Sequence, residues 1–252
     1  GIMKYVRIEF AGYDFVGANS GNEVNSLTLA GVGSGTTLDH IQASYGQDDS
    51  FEFFGGTVSP KYLYAFATAD DDFDFDFGFT GKVSFSISRR DPAFVDTGDA
   101  GNGIECDNDG TGSVATPFTR PVLDNMTLIG PNNAAALSNH NLAMRWRRAT
   151  QFEVSNSTFI GYMKGGFSLE SNETAQAYKD GVSTFKNNKI GTYTPNAALN
   201  FISKSAVITS ADVKTKALAD GNSEIESTDA EILKLEKPSW TTGWTRFPVK
   251  GQ

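Results

Sequence analysis

The chain has 252 residues and a formal net charge of −9 at pH 7. That charge disfavours a nucleic-acid partner, because binding to a phosphate backbone rewards a basic surface. The single cysteine, Cys106, excludes an intramolecular disulfide, and no apolar run reaches the roughly eighteen residues that a membrane span needs. The 26 glycines and 19 phenylalanines indicate turns and strands.

A short strand pattern recurs along the chain. In chain order its copies are NSLTLAG (25–31), SFEFFGG (50–56), FDFDFGF (73–79), GIECDND (103–109), AMRWRRA (143–149) and GFSLES (166–171). Stacking the copies produces one apolar column of Phe51, Phe73, Ile104, Met144 and Phe167, and a second of Phe53, Phe75, Cys106, Trp146 and Leu169. The repeat therefore predicts inward-facing residues that lie over one another.

A second set of strands alternates with the first, from YVRIEFAG (5–12) to VSTFKNNKIG (182–191). Successive first-set copies are separated by 22, 31, 40 and 23 residues, as counted from Glu52 through Ser168. A rung of about twenty-two residues, lengthened in places by loops, predicts an all-β, right-handed, single-stranded parallel β-helix. An antiparallel sandwich also uses short alternating strands, but it provides no reason for inward residues to match column by column.

The rungs are predicted to span residues 1–191, and residues 192–252 are predicted to form an irregular cap. SADVKTKALADG predicts a short helix with Ser210 as N-cap and Gly221 just past its end. EILKLEK is interpreted as a strand or a turn, and the PSWTTGWTRFP ending is expected to pack on the last rung. The start in mid-strand predicts that N-terminal rungs are missing.

Several long motifs resemble a known family. They are NEVNSLTLAGVGSGTTLDHIQASYGQDDSFEFFGGTV, DDDFDFDFGFTGKVSFSISRRDP, GIECDNDGTGS and the closing TTGWTRF. They resemble bacterial surface or secreted β-helix proteins of the pectin-lyase-like type, which are often predicted lipoproteins and mostly of unassigned function. The resemblance covers residues 3–170 and returns at 240–247. It implies the fold and an extracytoplasmic location, on the cell surface, in the outer membrane or secreted, and it brings no catalytic residues.

The stretch ADDDFDFDFGF alternates acidic and aromatic residues, which places carboxylates on one side of a strand and rings on the other. Stacked rungs set equivalent residues about 4.8 Å apart. The predicted acidic patch contains Glu52, Asp72, Asp74, Asp76, Glu105 and Asp107, bordered by Arg145 and Arg147. Two carboxylates at that spacing repel by about 1 kcal/mol in water, and by more where solvent is restricted.

Three interpretations of the patch remain open. The arginine rung and water can neutralise it, which makes it an ordinary solvated face. The clustered oxygens can instead hold a hard cation, and Ca²⁺ fits best because it takes six to eight oxygen ligands. The patch and its arginines can also form a catalytic groove.

A catalytic groove has two chemical forms. A polysaccharide lyase combines carboxylate-bound Ca²⁺ with a basic side chain, for which the candidates are Lys82, Arg89, Arg90, Arg145, Arg147 and Arg148. A glycoside hydrolase uses clustered acids, one with a raised pKa, for which the candidates are Asp72, Asp74, Asp76 and Asp107.

Arg89 and Arg90, in RRDP (89–92), open a long insertion, where they either clamp an anionic ligand or anchor the loop. The preferred hypothesis is a surface or secreted protein that binds a cation, a glycan or both through its acidic face, without catalysis. A polysaccharide lyase or glycoside hydrolase that acts on an acidic polysaccharide is the alternative.

Overall fold

In the computed structural model, which describes residues 1–12 and 24–247, the chain forms a parallel β-helix. The front sheet contains β2 (Leu27–Ala30), β4 (Phe51–Phe54), β6 (Phe73–Asp76), β9 (Ile104–Cys106), β12 (Leu142–Trp146), β15 (Gly165–Leu169) and β18 (Phe201–Ser203). The back sheet contains β1 (Ile2–Glu9), β3 (Thr37–Ser44), β5 (Lys61–Phe66), β7 (Lys82–Ser84), β8 (Ile87–Arg89), β10 (Val122–Asp124), β11 (Thr127–Ile129), β13 (Glu153–Ser155), β14 (Thr158–Ile160), β16 (Thr184–Lys186), β17 (Lys189–Gly191) and β19 (Ser223–Glu224).

The register of the front sheet confirms the predicted columns. Phe51 pairs with Phe73, Phe73 with Ile104, Ile104 with Met144 and Met144 with Phe167, all in parallel. The antiparallel alternative is thereby excluded. Parallel pairing also continues past residue 191, since β15 pairs with β18 and β17 with β19.

Aromatic residues fill the interior between the sheets. Phe53 and Phe75 stack with ring centroids 4.9 Å apart, and Trp146 stacks on Phe152 at 4.4 Å. Such pairs contribute about 0.5–1.5 kcal/mol each beyond the burial of their surface. Cys106 is also fully buried, as its place in the inward column predicts. The rings thus hold the rungs in register from within.

Within the described residues, the back sheet bends at a column of residues with positive φ. The column of bend residues contains Tyr5, His40, Tyr62, Phe85, Asn125, Asn156 and Asn187, with φ between 51° and 59°. After three of these bends, the backbone N–H of the next residue donates a hydrogen bond to a side-chain hydroxyl or amide oxygen of the neighbouring rung. Leu63 N, for example, donates to Ser86 Oγ at 3.1 Å. The first four bend residues stack their rings, and the His40 centroid lies 4.6 Å from that of Tyr62.

Up to residue 247, the C-terminal half of the chain contains three α-helices: α1 (Asn172–Lys179), α2 (Ser210–Ala219) and α3 (Asp229–Leu235). The predicted helix is α2, but its N-cap is Thr209, whose side chain accepts a hydrogen bond from the Asp212 backbone N–H. The N-cap prediction was therefore wrong by one residue. Val213 and Ala217 of α2 are buried in the main core, so this helix covers its C-terminal end.

Two other C-terminal predictions were wrong. EILKLEK belongs mostly to α3 rather than to a strand or turn, because Thr228 caps a helix there. The tryptophan-rich ending does not lie on the last rung. Trp240 contacts Tyr62 at 5.3 Å and Trp244 contacts His40 at 5.3 Å, which places the ending across the back sheet. There it covers the edges of the stacked bend rings, while α2 already covers the core. Among the described residues, no helix combines the length and apolarity needed to cross a bilayer.

Candidate functional site

The front sheet carries the predicted carboxylates on its outer surface. Along β6, Phe73 and Phe75 are fully buried, whereas Asp74 and Asp76 are partly exposed. The register places Glu52 beside Asp74, and Asp74 beside Glu105. The sequence-predicted neighbours are therefore brought together, one rung apart.

Arginines neutralise one half of this surface. Arg145 pairs with Glu105 at 2.9 Å and with Glu170 at 3.1 Å. Arg147 pairs with Asp107 at 2.7 Å and also with Glu105. Arg148, which was considered only as a catalytic base, pairs with Asp107 at 2.6 Å. Here the arginine rung balances the acids, as one of the three interpretations predicts.

The other half carries a second group of close carboxylates. Carboxylate oxygens of Asp49, Glu52 and Asp74 lie within 4.8 Å of one another, as do those of Asp48, Asp49 and Asp70. Within the part of the chain that the structure describes, Asp49, Glu52 and Asp74 form no ion pair. Oδ1 of Asp74 is buried and has no hydrogen-bond partner. These carboxylates, here named the acidic cluster, comprise Asp48, Asp49, Glu52, Asp70, Asp71 and Asp74.

Two members of the acidic cluster also belong to a ladder of side-chain hydrogen bonds. Oδ1 of Asn25 accepts from Asp49 N at 3.1 Å, and Oδ1 of Asp49 accepts from Asp71 N at 2.9 Å. Oδ1 of Asp71 then accepts from Asn102 N at 2.6 Å, and that of Asn102 accepts from Leu142 N at 3.3 Å. At both ends of the ladder the acceptor is the side-chain amide oxygen of an asparagine, Asn25 or Asn102. The ladder therefore does not require the negative charges of Asp49 and Asp71.

Burial raises the pKa of several acids on this half of the surface. Desolvation raises the pKa of Glu52 to about 7, that of Asp70 to about 8 and that of Asp76 to about 6, with neighbouring carboxylates adding to the effect. Desolvation, together with repulsion from Glu105 and Glu52, holds the pKa of Asp74 well above its ordinary value. A bound cation would reverse this balance, because its positive charge favours the ionised carboxylates.

The prediction that Asp72 belongs to the outer acidic surface was wrong. Its carboxylate is fully buried, 3.1 Å from the Arg90 guanidinium and 3.1 Å from the hydroxyl of Tyr162. The chain turns a corner just before β6, which breaks the strand alternation. The residues at equivalent positions of adjacent rungs, Ser50 and Gly103, are buried as well.

Arg90 and Arg89 do not border the acidic cluster as a ligand clamp. Arg90 is buried, and it donates hydrogen bonds to the carbonyls of Thr68, Asp70 and Asn102, so it anchors the loops, which was the other interpretation. Arg89 ends β8 in the back sheet and pairs with Glu236 at 2.6 Å. It lines a separate groove of about 640 Å³ between α3 and the loop after β11.

Four members of the acidic cluster were not predicted as ligands: Asp48, Asp49, Asp70 and Asp71. Of the DDD run at 70–72, only Asp72 was predicted to belong to the acidic patch. The sequence nevertheless contains a pattern that could have identified these four residues, since QDDS directly precedes β4 and ADDD directly precedes β6. Extending the stacked columns two residues upstream of each strand would have aligned Asp49 with Asp71.

The fold and the site together define a parallel β-helix protein with a cluster of close carboxylates on one sheet. The chain belongs to the family of pectate-lyase-like β-helix domains, whose model matches residues 1–245. No curated protein and no solved structure matches the chain.

Proposed function

We propose that the acidic cluster binds Ca²⁺ and that the ion holds an acidic polysaccharide on the front sheet without cleaving it. The single observation that carries the proposal is the close group of Asp49, Glu52 and Asp74, whose carboxylate oxygens lie within 4.8 Å of one another while Oδ1 of Asp74 is buried without a hydrogen-bond partner. A buried charged oxygen without a partner is costly unless a cation or proton satisfies it.

The donor set suits a hard cation. Three carboxylates offer up to six oxygens, within the six to eight that Ca²⁺ takes. Two of these oxygens already accept a hydrogen bond, Oδ1 of Asp49 from the backbone of Asp71 and Oε2 of Glu52 from Asn25. Water or a carboxylate of the ligand must therefore complete the coordination. A carboxylate of an acidic glycan can supply these further oxygen ligands, which is the reason for proposing such a glycan.

Family membership supports the choice of ligand, since the description of the family is pectate-lyase-like. We extend the same proposal to location, outside the cytoplasm on the cell surface or in secreted form. The arginines next to the cluster are consistent with a non-catalytic role. Arg145, Arg147 and Arg148 are each held in ion pairs, which makes them poorly available as the base of a lyase.

The proposal is tested by thermal unfolding and calorimetric titration with Ca²⁺. A ligand at one hundred times its Kd stabilises the folded state by about 2.7 kcal/mol. We expect Ca²⁺ to raise the unfolding midpoint and a chelator to reverse the rise. Asp74→Asn should abolish the Ca²⁺-dependent rise while raising the midpoint in chelator, because it removes one repelling charge.

Asp96→Asn is the control for a charge change away from the front sheet. Asp96 lies in the loop after β8, and its carboxylate accepts a hydrogen bond from Gly98 N of its own turn. This substitution should leave the Ca²⁺-dependent rise intact. Superimposable melting curves of the parent chain in millimolar Ca²⁺ and in chelator would overturn the proposal.

Glycoside hydrolysis is a second candidate, supported by one observation. The pKa of Glu52 is raised to about 7 by burial, the range that a general acid needs. Hydrolysis predicts that reducing ends are released from an acidic polysaccharide and that Glu52→Gln abolishes the release. Binding without any increase in reducing ends, over a panel of such polymers, would favour the binding role.

A further inference from the structure

Phe77 combines two features that stability alone does not explain. Its side chain is 59% exposed, and its backbone has a φ of 49°. A bulky side chain in this left-handed region is strained, whereas glycine is not. The two preceding rungs place Gly31 and Gly55 at the same corner, both with a φ of 64°. The corner therefore does not require an aromatic residue.

The backbone at Phe77 is held firmly although its ring faces solvent. Phe77 N donates to Oδ1 of Asp76 at 2.7 Å, and the next residue, Gly78, donates its N–H to Oγ1 of Thr119 at 2.8 Å. The Phe77 ring rests against Phe54 with centroids 5.8 Å apart. Strained residues that the surrounding structure fixes in this way concentrate at ligand-binding sites.

We propose that the exposed ring of Phe77, which with Phe54 forms the aromatic platform, stacks on a pyranose ring of the acidic polysaccharide and that the carboxylate of this sugar meets the bound cation. This inference rests on the proposed function. Phe54 pairs in register with Asp76, two residues along the strands from the pair formed by Glu52 and Asp74. Two strand residues advance about 6.6 Å, which sets the platform beside the acidic cluster, within reach of one sugar and its carboxylate.

The surroundings favour a sugar over an apolar partner. Among the described residues the platform consists of one pair of rings, and the partly exposed Asp76 pairs in register with Phe54 beside it. The negative face of an aromatic ring attracts the polarised C–H groups on one side of a pyranose. The hydroxyl groups around the sugar remain in water, and its carboxylate reaches the cation. An apolar partner that covered the platform would remove water from the neighbouring carboxylates without supplying any group to pair with them.

The test is calorimetric titration of the Ca²⁺-loaded chain with oligomers of galacturonic acid. Phe77→Gly should weaken oligomer binding about tenfold, the change that 1.4 kcal/mol produces. Ca²⁺ affinity should be unchanged, since the ring contributes no ligand atom. The unfolding midpoint should stay within about 2 °C, because relief of strain offsets the lost ring contact.

Phe85→Gly is the matched control. Phe85 is also exposed, at 43%, and has a φ of 51°, but it lies at the bend of the back sheet. We expect it to bind the oligomer as the parent does. Phe77→Leu keeps an apolar side chain without an aromatic face and should bind as weakly as Phe77→Gly.

The outcomes separate the two proposals. If the parent binds Ca²⁺ but Phe77→Gly binds the oligomer like the parent, the platform is overturned and the cation site stands. If the Ca²⁺-loaded parent binds no oligomer, the platform and the polysaccharide part of the proposed function are both overturned, and only the cation site stands. If the parent binds no Ca²⁺, the proposed function fails, and the platform fails with it.

Discussion

At the residue scale, the choice between aspartate and asparagine separates structure from function. Asn25 and Asn102 show that an amide oxygen can accept the backbone N–H of the next rung. Asp49 and Asp71 make the same hydrogen bonds but add charges to a buried cluster. Desolvation raises the pKa of both acids well above the ordinary value, and neighbouring carboxylates raise it further. Burying these charges reduces the stability of the fold. We therefore infer that the carboxylates of Asp49 and Asp71 serve to bind a ligand.

Asp49→Asn should therefore stabilise the cation-free chain and weaken Ca²⁺ binding. The asparagine keeps the ladder hydrogen bond through its Oδ1, while one repelling charge disappears. We expect a higher unfolding midpoint in chelator and a loss of Ca²⁺ affinity of at least about tenfold, measured by unfolding and calorimetry.

The control for this substitution is Asp124→Asn in the back sheet, where the carboxylate pairs with Lys82 at 2.9 Å. Removing that charge breaks an ion pair, so it should lower the midpoint or leave it unchanged and should not affect Ca²⁺. A lower midpoint for Asp49→Asn in chelator would show that the carboxylate is needed by the fold.

At the element scale, β6 assigns its two faces to different tasks. Phe73 and Phe75 are fully buried and stack on Phe51 and Phe53 of β4, which joins the rungs. The outer face presents carboxylates, and just beyond the strand the corner presents Phe77. The two-residue period of a strand separates a stabilising face from a binding face within one short segment.

Substitutions on the two sides of this element should behave oppositely. Phe75→Ala removes a fully buried ring and should cost about 3–5 kcal/mol of unfolding free energy. Phe77→Ala removes an exposed ring and should change that free energy by less than about 1 kcal/mol. Urea denaturation of both variants measures the difference. Equal losses would mean that the Phe77 ring is part of the packing.

At the scale of the whole molecule, unbalanced acids make stability depend on pH. In the folded chain the pKa of Glu52 is about 7 and that of Asp70 is about 8, both above their ordinary values. Between the unfolded and folded pKa values, the folded state holds protons that the unfolded state has released. The unfolding free energy therefore decreases as pH rises through this interval.

In chelator, we expect the unfolding midpoint to fall as pH rises from about 4 to about 8, since raised carboxylate pKa values favour the folded state only at low pH. Ca²⁺ should reduce or reverse the fall, because it binds the deprotonated carboxylates, and its stabilising effect should grow with pH. Scans over this pH range with and without Ca²⁺ measure both effects. A midpoint that rises with pH in chelator would contradict the prediction.

The stacking of rungs and the neighbouring positions of Glu52, Asp74 and Glu105 were predictable from the sequence. They follow from two local periods, the alternation along a strand and the spacing between copies of the repeat. Helix α2 was predictable for a similar reason, since its capping and termination signals lie within a few residues of each other.

Only the tertiary structure decided which acids remain unbalanced. The burial of Asp72 against Arg90, the ladder through Asp49 and Asp71, and the return of Trp244 across the back sheet all depend on corners and on contacts between distant segments. At a corner the strand period no longer determines where a side chain points. The partner it meets then depends on the whole path of the chain, which no local pattern records.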